Sequence, residues 1–146
     1  MTTMNNISRQ GPRKVIIPMK GIEIILLAAG GVGGVFLRYA MTKSPLLLGA
    51  LSVNVLIVNV IGSFILGAFA ILSLQLNLDE KYALLVAIGF CGGLTTMSSF
   101  ALESASLIDN KQYYLMAINV IANVGLSLGA IFGGRAITSL ILGVLK

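Results

Sequence analysis

Four long apolar stretches constrain the fold of this chain more than any other feature. They cover residues 22–41, 51–74, 82–107 and 114–145, and Gly133-Gly134-Arg135 interrupts the last of them. A helix that crosses a bilayer needs about 20 mostly apolar residues, so each stretch is long enough to span. The segments between them are short and polar, which requires consecutive helices to run antiparallel. The sequence therefore predicts an all-α integral membrane protein with four transmembrane helices in one domain, residues 21–146.

The residue types that most enzymes depend on are scarce. Only 10% of the residues are charged, against roughly 25% in an average soluble domain. The chain has no His and a single Cys, Cys91, which excludes an imidazole base, an intrachain disulfide and a Cys/His zinc cluster. Five acidic residues leave little for hydrolytic or metal-ion catalysis. We therefore expect a membrane protein that is not an enzyme.

Residues 1–20 differ from the rest of the chain. Thr, Asn, Ser, Gly and Pro are frequent there, and the segment carries Arg9, Arg13, Lys14 and Lys20. We interpret it as a disordered basic tail that can contact anionic lipid. A signal peptide is disfavoured, because the following apolar run is rich in Gly and lacks a small-residue cleavage site. The cations are not interleaved with aromatic residues, so no nucleic-acid partner is expected.

The distribution of Lys and Arg predicts an orientation. With four spans, both termini and the loop before Lys81 share one side, which carries most of the cations. The positive-inside rule places that side in the cytoplasm of a multi-pass plasma-membrane protein. Most of the bias comes from the tail, and without the tail the two sides are nearly balanced. Insertion in both orientations therefore stays open.

Polar residues repeat at helical spacing in the second and fourth spans. They recur at intervals of four, as Asn59, Ser63 and Gly67 in one span and as Asn119, Asn123 and Ser127 in the other. This spacing places each set on one helix face. A single intramembrane Asn most often bonds two helices together. Two similar stripes favour a lined pathway instead, and side-chain amides can solvate an anion because they donate hydrogen bonds.

The third span contains a sequence that disfavours a continuous helix. Gly92-Gly93 precede four hydroxyl residues within five positions, Thr95, Thr96, Ser98 and Ser99. Irregular backbone at membrane depth is tolerated only where it is buried in protein or lines a cavity. We therefore predict that the third helix is broken mid-membrane at residues 92–95, where freed carbonyl oxygens would suit a cation.

Two ionisable residues of the spans each have two interpretations. Glu103 is the only acid well inside a span, and it is either a functional group or a protonated acid bonded to a neighbouring hydroxyl. Arg38 lies near the end of the first span. It either extends to the membrane interface or draws anions into a vestibule.

These motifs together resemble the CrcB family of fluoride channels. Four blocks carry the resemblance in the family's order and spacing: Gly31-Val32-Gly33-Gly34 with Arg38-Tyr39, Asn59-Val60-Ile61-Gly62-Ser63-Phe64, residues 89–100 with Glu103, and Asn119-Val120-Ile121-Ala122-Asn123. The third block is specific, whereas each of the others is weak by itself. The resemblance covers residues 22–135.

The resemblance implies a fluoride-selective channel that passively exports fluoride from the cytoplasm and relieves its toxicity. It implies an antiparallel, dual-topology-type homodimer with two narrow pores and one structural, non-transported Na+. The Na+ would be held by the backbone carbonyls of Gly92 and Thr95 from both subunits. The expected pore residues, including the two that the fourth-span stripe adds, are Arg38, Asn59, Met97, Ser98, Ser99, Phe100, Glu103, Asn123 and Ser127.

Two positions and the tail depart from the family pattern. Met97 stands where the family usually has Phe, and Ser99 stands where it has Thr. A Met methyl group is less positive than an aromatic ring edge, so we expect transport to be retained at an altered rate. The basic tail favours one orientation. Either a paralogue of opposite orientation supplies the second subunit, or the tail does not decide insertion.

Two other functions stay as alternatives. A small proton-coupled multidrug exporter would need an intramembrane Glu in the first helix and many aromatic residues. Glu23 lies only at the edge of that helix, and the chain has six Phe, four Tyr and no Trp. A non-transporting membrane subunit that packs through its glycines would not need two polar stripes along one path.

Overall fold

The computed structural model describes residues 19–44, 46–48 and 51–144. The predicted disordered tail, residues 1–20, lies almost wholly outside the described residues, as does the end of the fourth predicted span. The helices are α1 (Gly21–Thr42), α2 (Asn54–Gln75), α3 (Lys81–Ala83), a π-helical segment (Leu84–Cys91), α4 (Gly92–Leu94), α5 (Met97–Asp109) and α6 (Tyr113–Val144). A hairpin of two short strands, β1 (Leu47–Leu48) and β2 (Leu51–Ser52), joins α1 to α2.

Four helical stretches in the described part of the chain are long and apolar enough to cross a membrane. They are Gly21–Thr42, Asn54–Gln75, Lys81–Asp109 and Tyr113–Gly143. Large apolar side chains stay exposed along them, as Ile25 and Phe36 do on α1. Such a surface suits hydrocarbon rather than water. The prediction of a multi-pass, all-helical membrane protein is confirmed.

Glycines set the contact between α1 and the third span. A Cβ atom at Gly30 would overlap the Leu85 carbonyl oxygen, and one at Gly34 would overlap the Phe90 carbonyl oxygen. The third span contributes Gly93 to the same contact, because a Cβ there would lie 2.7 Å from the Gly31 carbonyl oxygen. Small residues at these positions let the two backbones approach closely. The glycine-rich motif of the first span is therefore a packing surface.

A second helix pair is formed by α2 and α6, which run in the same direction. A Cβ at Gly67 would overlap the Ile131 carbonyl oxygen, and one at Gly134 would overlap the Phe64 carbonyl oxygen. The Asn59 and Asn123 side chains meet further along this same contact. The two helix pairs bring the polar stripes of α2 and α6 beside the third span.

The second span begins later than the sequence suggested. Residues 51 and 52 belong to β2, with Leu47 opposite Ser52 and Leu48 opposite Leu51, and α2 begins at Asn54. The buried Asn54 side chain accepts a hydrogen bond from the Leu46 N–H at 2.6 Å and donates to the carbonyl oxygens of Met41, at 2.6 Å, and Ser44. This side chain fastens the loop to the end of α1.

The third span leaves helical geometry at Thr95 and Thr96. Gly92 has φ −65° and ψ −34°, which is ordinary helix, whereas Thr95 has φ −75° and ψ 154°, and Thr96 has φ −149° and ψ 110°. The prediction of a non-helical segment beginning at Gly92 is therefore wrong in position. Gly93 is required for close approach to α1, and the extended conformation falls on two β-branched residues that favour it.

Candidate functional site

Two cavities adjoin the interruption at Thr95 and Thr96. The first, called here the asparagine cavity, has a volume of about 380 Å³, and the predicted residues on its wall are Asn59, Ser63, Gly92, Thr95, Met97, Phe100, Asn123 and Ser127. The second, the arginine cavity, has a volume of about 540 Å³, and the predicted residues on its wall are Arg38, Ser98, Ser99 and Glu103. Thr96 lines both cavities.

Asn59 replaces the helical partner that Thr96 has lost. The Thr96 N–H donates to the Asn59 Oδ1 at 2.8 Å, and the Asn59 Nδ2 lies 3.4 Å from the Thr96 carbonyl oxygen. The same Nδ2 donates to the Asn123 Oδ1 at 3.1 Å. Because the Thr96 N–H donates to Asn59, it does not make the usual helical hydrogen bond to the Gly92 carbonyl oxygen four residues earlier. One amide therefore holds the extended backbone in place.

The amide interaction continues from α6 to α5. The Asn123 Nδ2 donates to the Asn119 Oδ1 at 2.9 Å and to the Asn119 carbonyl oxygen at 3.1 Å. The Asn119 Nδ2 donates to the Ser104 Oγ at 3.2 Å, and Ser104 donates to the Phe100 carbonyl oxygen. Asn119 and Asn123 are only 1% and 5% exposed. In this subunit they bond helices together, which is the usual role of an intramembrane Asn.

Ser63 and Ser127 occupy the more open part of the same stripes. Both are partly exposed, and both lie on the wall of the asparagine cavity. Their hydroxyl groups can donate hydrogen bonds into this space. The α6 stripe therefore has a buried asparagine end and an accessible serine end, whereas Asn59 and Ser63 on α2 are both partly exposed.

Met97 and Phe100 have different surroundings, although both line the asparagine cavity. Phe100 is 8% exposed and belongs to the packed interior. Met97 is 74% exposed and projects from the subunit. Of the two positions at which the resemblance implies an aromatic ring edge, this chain therefore has a fixed ring at one and a flexible, outward side chain at the other.

Thr96 is the N-cap of α5, a role that was not predicted from the sequence. Its Oγ1 accepts a hydrogen bond from the Ser99 N–H at 3.2 Å and donates to the Ser99 Oγ at 3.0 Å. The Ser98 Oγ lies 3.2 Å from the same atom. A Thr directly before a helical run is a recognised N-cap signal, so the sequence contained the information.

Arg38 and Glu103 lie on the wall of the arginine cavity. The Arg38 Nη1 donates to the Thr95 carbonyl oxygen at 3.2 Å, so α1 is bonded to the interruption in the third span. Ser52 and Glu103 line a further cavity on the same side of α5. One carboxyl oxygen of Glu103, Oε2, is buried and has no hydrogen-bond partner within the described residues.

Known proteins include clear relatives of this chain. A family model described as "CrcB-like protein, Camphor Resistance (CrcB)" matches residues 25–135. A protein of Nitrosopumilus maritimus (strain SCM1) described as "Fluoride-specific ion channel FluC" is 60% identical over 124 residues, which cover 85% of this chain and 98% of the relative.

More distant relatives have the same description. The protein of Sulfurihydrogenibium sp. (strain YO3AOP1) is 42% identical over 115 residues, and that of Methanococcus maripaludis is 37% identical over 113 residues. Each match covers 77% of this chain and 93% of the relative. Because the family model matches residues 25–135, which is most of the chain and includes the residues of both cavities, the chain belongs to the CrcB family.

Proposed function

We propose that this protein is a fluoride-selective channel through which fluoride leaves the cytoplasm passively, so that its toxicity is relieved. The observation that carries the proposal is the convergence of hydrogen-bond donors from α2, α5 and α6 on two cavities that meet at Thr96. Relatives described as fluoride-specific ion channels support it.

The chemistry of the walls suits a small, strongly hydrated anion. Hydroxyl groups of Ser63 and Ser127 can donate into one cavity, and the hydroxyl group of Ser99 can donate into the other, where Ser98 also lies on the wall. The edge of the Phe100 ring carries partial positive charge. Conduction needs several weak sites rather than one tight site. A set of neutral donors meets that need, with Arg38 as the cation that attracts the anion to the arginine cavity.

A second subunit is part of the proposal. Met97 is largely exposed, and Gly92 has open space at its Cβ position. An antiparallel second copy, or a paralogue of opposite orientation, closes the asparagine cavity and produces two pores. The interruption at Thr95 and Thr96 then lies mid-membrane between the two subunits, where irregular backbone is tolerated because protein surrounds it.

Backbone carbonyl oxygens are the expected ligands for the structural Na+. No cluster of Asp, Glu, Cys or His within the described residues could hold a metal ion. The Gly92 carbonyl oxygen suits a cation ligand. Its helical donor would be the Thr96 N–H, and that N–H is bonded to Asn59 instead. The Thr95 carbonyl oxygen accepts a hydrogen bond from Arg38. We propose that both carbonyls hold Na+ in the dimer, and that Arg38 leaves Thr95 when they do, since two cations on one oxygen repel each other.

This competition predicts a Na+-dependent stability. The purified dimer should unfold at a higher temperature in Na+ than in N-methylglucamine of equal ionic strength, because the ion binds only the folded state. Arg38→Met should lower the Na+ concentration that gives half of this shift by about tenfold, since it removes the competing charge. A Na+ effect that Arg38→Met leaves unchanged would contradict the competition, and the absence of any Na+ effect would contradict the site.

Liposome efflux tests the fluoride proposal directly. Proteoliposomes loaded with KF should release fluoride to an ion-selective electrode when a K+ ionophore is added. Liposomes loaded with KCl should retain their chloride, because the larger anion does not fit the donors. Protein-free liposomes are the control. Equal release of chloride, or release that requires a proton gradient, would refute a passive fluoride channel and favour the exporter. No release of either anion would favour a non-transporting subunit.

A further inference from the structure

We infer that Thr96 is a positioning residue of the conduction pathway, which turns the Ser99 hydroxyl proton into the arginine cavity. The inference rests on the proposed fluoride conduction and adds a residue to it. Thr96 is 6% exposed, and among the described residues it is the one that lines both cavities. An ion that crosses from one cavity to the other at this shared wall therefore passes this side chain.

Thr96 is held from two directions, which gives its hydroxyl group a defined orientation. Its backbone N–H is bonded to Asn59 on α2, and its side chain caps the first turn of α5 through the Ser99 N–H. A side chain fixed at both ends loses rotamer freedom before any ligand arrives. Groups that are oriented in advance bind a ligand at lower entropic cost.

The protons around Thr96 can be assigned one at a time. A hydroxyl group has one proton, and Thr96 donates its proton to the Ser99 Oγ. The Ser99 proton is therefore directed away from this contact, and Ser99 lies on the wall of the arginine cavity. The Ser98 Oγ also contacts the Thr96 Oγ1, so Ser98 must be the donor in that pair. Within the described part of the chain no acceptor is assigned to the Ser99 proton, whereas the Ser98 proton is already engaged.

Loss of the Thr96 hydroxyl would release Ser99 from this arrangement. A Ser in the first turn of a helix that has no competing partner can donate its proton to the carbonyl oxygen three residues earlier. For Ser99 that carbonyl belongs to Thr96, the cap residue of α5. The hydroxyl would then present lone pairs instead of a proton to the cavity, and a lone pair repels an anion. Thr96 consequently acts on fluoride through Ser99.

Variants at Thr96 and Ser99 test this coupling in proteoliposomes. Thr96→Val should slow fluoride efflux about tenfold, the effect of losing one hydrogen bond to a charged group. Thr96→Ser keeps the hydroxyl group and should recover most of the rate. Ser99→Ala should match Thr96→Val, and the double variant should be no slower than either single variant, because both changes remove the same donor. Ser98→Ala should slow efflux less than Ser99→Ala.

Several results would overturn the inference. They are wild-type efflux in Thr96→Val, effects of Thr96→Val and Ser99→Ala that multiply, or a Thr96→Ser rate as low as that of Thr96→Val. Dimer elution and thermal unfolding identify variants that do not fold. If Thr96→Val is among those, the comparison of Ser98→Ala with Ser99→Ala decides, and an equal loss overturns the inference. Failure of the wild-type protein to release fluoride would refute the proposed function instead.

Discussion

Gly30→Ala is expected to destabilise the folded subunit strongly, whereas Gly31→Ala at the next position is expected to leave its stability unharmed. A Cβ at Gly30 would overlap the Leu85 carbonyl oxygen and would lie 3.0 Å from the Phe90 backbone nitrogen. These are backbone atoms of the third span, which cannot move aside as a flexible side chain can. At Gly31 the added Cβ meets no atom within 4 Å. The contact between α1 and the third span is therefore lost in one variant and kept in the other.

The pair of variants isolates this contact from helix propensity. Either change to Ala favours a helix interior by about 1 kcal/mol, so propensity alone predicts that both stabilise α1. Overpacking against a fixed backbone typically costs 1–3 kcal/mol, and roughly that much or more is expected at Gly30. The measurements are the monodisperse fraction in detergent and the unfolding temperature. Equal unfolding temperatures for the two variants would show that the two helices do not meet at Gly30.

Asn59→Asp is expected to reduce fluoride efflux to that of protein-free liposomes, a loss of about a hundredfold or more. The Thr96 N–H keeps its acceptor, but the group that donates to Asn123 and Thr96 becomes an oxygen. Both contacts then place an acceptor against an acceptor. When ionised, the carboxylate also repels an anion in a site of low dielectric constant. The interruption loses its support while the cavity wall gains the wrong charge.

A matched control separates the effect of an added negative charge from the effect of its position at Asn59. Asn77→Asp adds the same carboxylate in an exposed turn outside the spans, at φ 47°, a conformation that Asp tolerates as Asn does. That variant should conduct at the wild-type rate. Efflux is measured alongside dimer elution, because a variant that does not assemble says nothing about the pore. A folded Asn59→Asp dimer with wild-type efflux would remove Asn59 from both roles.

The asparagine stripes show what residue spacing can predict and what it cannot. An interval of four residues places Asn119 and Asn123 on one face of α6, and that much follows from helix geometry. Whether the face meets a pathway or another helix depends on where α2 and α5 lie. Asn59 and Ser104 occupy those positions and accept or donate the amide hydrogen bonds. The two asparagines are consequently buried between helices in the subunit.

The glycine pair of the third span shows a similar limit. The sequence prediction placed the weak segment of the third helix at Gly92-Gly93 and the hydroxyl residues after them. The extended residues are Thr95 and Thr96, because Gly93 is packed against Gly31 and Asn59 receives the Thr96 N–H. These partners lie on α1 and α2, far away in the chain. Local propensity favours an extended conformation at the two Thr residues, but the partners on α1 and α2 decide that the glycines before them stay helical.

The sequence by itself determined the properties that depend on contiguous residues. The length of apolar runs sets the number of spans, short polar connections set their alternation, and the motif blocks are sufficient to identify the CrcB family. Tertiary structure decided the properties that depend on which backbones meet. Glycines bring α1 onto the third span, Asn59 holds Thr96, and Thr96 separates the two cavities. The physical reason is that a polar group in a membrane must find its hydrogen-bond partner within the protein, and for Asn59, Thr96 and Asn119 those partners lie on other helices.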